Sequence, residues 1–216
     1  MRSLVLSMLL LAASTLPVPG ARAETPDERA FAQAYAQALE ALVERRRDDA
    51  RAALQRAEAI GTRLPGEGTG SQRASPRLKA LRYLVAAGYA EYGQRLQASQ
   101  LLSMNLAEFM GPGMHVALAR GEGGQALVSR MGSVFAAAQE GDLGKVRSLS
   151  HDLGGQSLPG VDLGQFIAQA EMLALVQSGR SPVEHARFAE VAGQLLPGPG
   201  SGHAPGPAVA AGAGEP

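Results

Sequence analysis

The chain has 216 residues, 45% of them hydrophobic and 19% charged, with 20 basic residues against 20 acidic ones. It contains no cysteine, which excludes a disulfide framework, thiolate metal sites, c-type haem attachment and a cysteine nucleophile. Balanced charge leaves no single-sign field to draw in nucleic acid or an anionic membrane, and 39 Ala and 28 Leu against 13 Val, 2 Ile and 4 Thr favour helices over strands.

Residues 1–23 have the pattern of a signal peptide. Arg2 supplies the positive start, 4–13 is an apolar run too short to span a bilayer, and Ala21-Arg22-Ala23 has the small-x-small form of a cleavage site. Cleavage after Ala23 removes Arg2 and Arg22 and leaves a chain of formal charge −2. No cysteine follows the apolar run, so no lipid anchor is expected, nor any membrane insertion after cleavage. The 18 Arg against 2 Lys fit a GC-rich bacterial genome. The expected location is periplasmic or secreted, where the lack of cysteine avoids stray disulfides.

Residues 24–196 are predicted to form one helical domain. Thr25-Pro26-Asp27-Glu28 reads as a capping box with proline at the first helical position, and Ser181-Pro182-Val183-Glu184 repeats it. Ser75-Pro76 supplies a third start. Apolar residues recur at helical spacing at Phe31, Tyr35, Ala38 and Leu42, at Leu78, Leu81, Val85 and Tyr89, at Val128, Met131 and Phe135, and at Phe166, Ala170 and Leu173. Turns are predicted around Arg45–Asp49 and at Gly93, Gly141-Asp142 and Gly179-Arg180-Ser181, with glycine as the left-handed residue that ends a helix. The stretches 61–76, 111–113 and 121–124 are expected to be loops. Residues 197–216 hold 11 Gly or Pro and 5 Ala, a composition that predicts a disordered tail. The fold class is therefore all-α, built from antiparallel helical hairpins.

Turn positions 47, 93, 141 and 179 are 46, 48 and 38 residues apart, the mark of a quasi-repeat. Its clearest unit, 84–98, has a small residue, an aromatic, Gly93 at the turn and Ala98 five residues on. It resembles a tetratricopeptide repeat, and 134–146 resembles it more loosely. That resemblance implies a stacked array of helix pairs that binds a peptide or protein; an ordinary antiparallel bundle would share the same small residues and turns.

The sequence offers no catalytic constellation. There is no Gly-x-Ser-x-Gly elbow, no His-Glu-x-x-His pair and no phosphate-binding glycine loop ending in Gly-Lys-Ser/Thr. His185 reads as a partly exposed helical residue. Met104, Met110, Met114 and His115 cluster in sequence; thioethers with imidazole suit Cu(I), while flexible methionines equally fill cores and adaptable partner surfaces. The stretch 141–155 resembles the phosphoacceptor helix of a histidine phosphotransfer domain, which implies His151 exposed in mid-helix; the motif lysine is replaced by Gly154, and Pro159 follows early. No cofactor and no catalytic residue is assigned. The expected function is an exported, non-enzymatic helical scaffold or adaptor with a peptide or protein partner. The alternatives are a ligand- or copper-binding bundle using Met110, Met114 and His115, and a degenerate phosphotransfer-like bundle using His151.

Overall fold

A computed structural model describes residues 25–64, 75–119, 121–153 and 162–196, without the side chains of Pro76 and 112–118. The predicted leader, the Gly/Pro/Ala tail and most of the 61–76 connection lie outside the described residues. As an Ala/Leu-rich chain poor in β-branched residues dictates, every regular element among the described residues is helical. The order is α1 Pro26–Val43, α2 Arg47–Gly61, α3 Pro76–Glu91, α4 Arg95–Ala119, α5 Glu122–Gln139, α6 Leu143–Ser150 and α7 Leu163–Gln177. A 3-10 turn Pro182–Glu184 and α8 Phe188–Leu195 complete it.

Short polar side chains close the exposed helix starts. Ser75 accepts from the Leu78 amide at 3.1 Å, Asp142 from Lys145 at 2.8 Å and Asp162 from Gln165 at 3.0 Å. Ser181 accepts from Val183, but the predicted helix there lasts a single 3-10 turn. His185 turns extended, with φ −69° and ψ 129°, and α8 starts only at Phe188.

Four hairpin turns share one geometry. Arg45, Gly93, Gly141 and Gly179 have φ of 58°, 77°, 77° and 83°. In each turn the next amide reaches back five residues: Arg46 to the Ala41 carbonyl, Gln94 to Tyr89, Asp142 to Ala137 and Arg180 to Leu175. This is the left-handed cap that satisfies the last carbonyls of a helix and reverses the chain. The cap residues 45, 93, 141 and 179 are 48, 48 and 38 residues apart. The register of 48 continues into the core, where Tyr35, Tyr83 and Met131 are buried at equivalent places, as are Ala38, Ala86 and Val134, and Ala50, Ala98 and Val146. The turns also touch one another: Tyr92 Oη donates to the Arg47 carbonyl at 3.1 Å, Arg95 Nη2 donates to the Gly179 carbonyl at 3.1 Å, and Gly141 abuts Gln177 and Ser178.

Each helix packs on the next along the chain; α7 also packs on α4 and α5, and α8 folds back onto α3 and α1. Two buried tyrosines fasten that return. Tyr35 Oη donates to the Ala192 carbonyl at 2.7 Å. The Tyr83 hydroxyl lies 2.5 Å from Met172 Sδ, while its ring stacks on Phe188 with centroids 5.4 Å apart. Burial pushes both phenols well above their ordinary range.

Two predicted loops prove helical. Residues 111–113 lie inside α4, and α5 begins at Glu122. An interior proline and two glycines disfavour a helix, but Leu102 and Leu106 are buried and Phe109 and Met110 pack against the core just before them. That packing outweighs the local propensity.

Candidate functional site: an apolar groove over α3

Helix α3 carries two apolar stripes, separated by Arg77 on one flank and by Lys79 and Arg82 on the other. Ala80, Tyr83, Leu84 and Ala87 enter the core, where α8 and α1 meet them. The opposite stripe, Leu78, Leu81, Val85 and Tyr89, forms the floor of an open groove of about 290 Å³. Leu101 and Met104 of α4 continue the apolar surface, with Gln97 and Gln100 above them, and Glu58 of α2 stands on the other side. Leu78, Tyr89 and Leu101 are half-buried, and Met104 is 47% exposed, one of the few large apolar side chains left open to solvent among the described residues.

The charges around this groove are unevenly disposed. Arg82 is tied to Glu108 at 2.6 Å, and Lys79 shares the same carboxylate at 3.5 Å. Buried Asn105 donates to the Lys79 carbonyl at 3.0 Å and holds α4 to α3 beneath them. Glu58 is exposed near the C-terminal end of α2 and makes no ion pair or side-chain hydrogen bond among the described residues. A larger depression of about 380 Å³ between α1 and α2 is polar, and its cations are already engaged: Arg46 with Glu44 and Asp49, Arg56 with Gln37.

A second polar constellation lies at α7. His185 Nε2 and Glu171 Oε2 are 2.5 Å apart, and Arg147 of α6 reaches Glu171 Oε1 at 3.4 Å. His185 is half-buried as a residue, with its side chain 6% exposed, and it lies in a loop rather than in the helix expected. Its Nδ1 accepts from the Arg187 amide at 3.1 Å, which places the ring proton on Nε2, donated to Glu171. The hydrogen bond from His185, helped by Arg147, holds Glu171 below the ordinary carboxylate range against the opposing effect of burial. Both ring nitrogens are engaged, so the pair orients a loop and offers no free base.

The remaining candidate residues are dispersed. Met104 faces the groove, while Met110 is half-buried and reaches towards Gly132 of α5. Met114 and His115 belong to α4, but their side chains lie outside the described residues. His151 is exposed, yet it caps the end of the eight-residue α6, where the phosphoacceptor resemblance implies a mid-helix position. Gly154 and Pro159 lie outside the described residues. Among the described residues no three His, Cys, Asp or Glu side chains gather as metal ligands, and no helix is long and apolar enough to cross a membrane. The sequence alone did not mark the groove: its stripe was legible as a helical face, but not as one left partly uncovered. No known protein family, curated protein or solved structure matches the chain.

Proposed function

We propose that this protein is an exported, non-enzymatic scaffold or adaptor of the bacterial envelope, and that the groove over α3 holds a segment of a peptide or protein partner. The observation that carries this proposal is the outer stripe of α3. Apolar side chains on one helix are normally covered by a neighbour; here Leu81 and Val85 are buried, but Leu78 and Tyr89 at the ends of the stripe are only half-buried, in an open groove edged by an exposed methionine. Methionine suits a surface that must adapt to a partner's shape. The four turns of one geometry and the 48-residue register support a tetratricopeptide-like ancestry, although that family's period is about 34 residues. The leader-like pattern of 1–23 and the lack of cysteine support export.

The test is affinity capture from the native envelope fraction with the wild type and Met104→Asp side by side. Because Met104 is exposed, the substitution should change stability by no more than about 0.5 kcal/mol. A partner retained by the wild type and lost from the variant supports the groove; equal capture by both removes it from the function.

A further inference from the structure

We infer that the groove accepts a short amphipathic helix carrying a basic residue on its α2-facing side. This rests on the groove being the partner site and adds the chemistry of what occupies it. The floor residues are spaced by three, four and four positions, from Leu78 to Tyr89. At 1.5 Å per residue that stripe is about 16 Å long, roughly three helical turns. Floor and walls are all helical: α3 below, α2 on one side and α4 on the other. A fourth helix laid along this trough sets its own apolar ridge against the stripe, as packed helices do.

An extended segment fits the walls less well. Its backbone amides and carbonyls need partners along both edges. The α4 wall offers two amide side chains, Gln97 and Gln100, and the α2 wall offers the single carboxylate of Glu58. A helix satisfies its own backbone and asks only for apolar cover.

The charge follows from what is already neutralised. Arg82 and Lys79 share Glu108 on the α4 side, whereas Glu58, alone on the α2 side, has no ion pair among the described residues. Glu58 stands in the last turn of α2, where the helix carbonyls add partial negative charge. A lysine or arginine on the occupant meets both; a carboxylate there meets repulsion from both.

The probes are three synthetic peptides of about four turns. The first has leucines at i, i+3, i+7 and i+11 flanked by lysine, the second has glutamate for lysine, and the third has serine for leucine. Binding to the purified protein is followed by fluorescence anisotropy, and peptide helicity by circular dichroism. The lysine peptide should bind and gain helicity, the glutamate peptide should bind about fivefold or more weakly, and the serine peptide should not bind. Glu58→Lys should reverse the charge preference, while the neutral Met104→Ser should weaken the lysine and glutamate peptides alike. Equal binding of those two, no reversal in Glu58→Lys, or binding without added helicity overturns the basic-helix inference and leaves the groove in place. If no peptide binds while envelope capture still depends on Met104, the inference also fails and the groove reading survives. If capture is indifferent to Met104 as well, both fail.

Discussion

A few polar atoms inside an Ala/Leu core decide how the last part of the chain is seated. The Tyr35 hydroxyl meets the Ala192 carbonyl away from water. Tyr35→Phe leaves that carbonyl without its donor, so it should cost about 1–3 kcal/mol in urea unfolding with little change in helicity. Glu171 provides a second test. Its carboxyl is held below its ordinary value of 4.5, so on acidification the unfolded chain takes up the proton first. The contribution is whole above that ordinary value and is lost as pH falls through the lower folded value. Glu171→Gln should cost about 1.5–3 kcal/mol at neutral pH, and the gap to wild type should close as unfolding is measured towards pH 3. His185, the partner, was misplaced from sequence because Ser181-Pro182 announces a helix start, and Glu171 lies 14 residues away on another element. Local capping is written in neighbouring residues; a contact between elements is not.

The hairpins are where the sequence was most legible. Gly93, Gly141 and Gly179 all adopt the left-handed conformation their turn positions predicted. In the first hairpin the left-handed residue is Arg45, within the expected Arg45–Asp49 turn, and a side chain there costs roughly 1–2 kcal/mol. Arg45→Gly should therefore raise stability by up to about 1 kcal/mol. The opposite change discriminates between turns. A methyl at Gly93 meets nothing within 4 Å, while one at Gly141 lies 3.3 Å from the Ser178 amide nitrogen as well as being strained. Thermal melts should rank Gly141→Ala below Gly93→Ala, with the latter losing about 1–2 kcal/mol. What periodicity could not assign was the covered face of α3. It has two apolar stripes between its charged residues, so the pattern announces burial without naming the neighbour. The groove became visible only once α8 and α1 were found against one face, with α2 and α4 only flanking the other.

For the whole molecule, the return of α8 to α1 and α3 separates this fold from an open row of helix pairs. In an open array each unit leans only on its neighbours and can unfold piecemeal. Here the last helix is fastened to the first and third by Tyr35, Tyr83 and the fully enclosed ring of Phe188. Unfolding should therefore be a single transition, superimposable by circular dichroism and tyrosine fluorescence. Phe188→Ala should cost about 3–5 kcal/mol. Hydrogen exchange should reveal the loss in α1 and α3 as well as in α8; loss confined to α8 would mean that it docks as a dispensable appendage. The turn spacing in the sequence identified the hairpins but could not foresee this closure, because nothing local in 188–195 says which helices it will meet.

The contact between Tyr35 and Ala192 spans 157 positions, and that separation sets a timetable. The chain is made from its N-terminal end, so the first hairpin emerges long before the carbonyl its tyrosine requires. Until residue 192 has been delivered, Tyr35 lacks its acceptor and Tyr83 lacks the Phe188 ring. The early hairpins can coil, yet part of their core stands open until the final helix arrives. A chain organised this way cannot close the core around its first hairpin before α8 has been delivered.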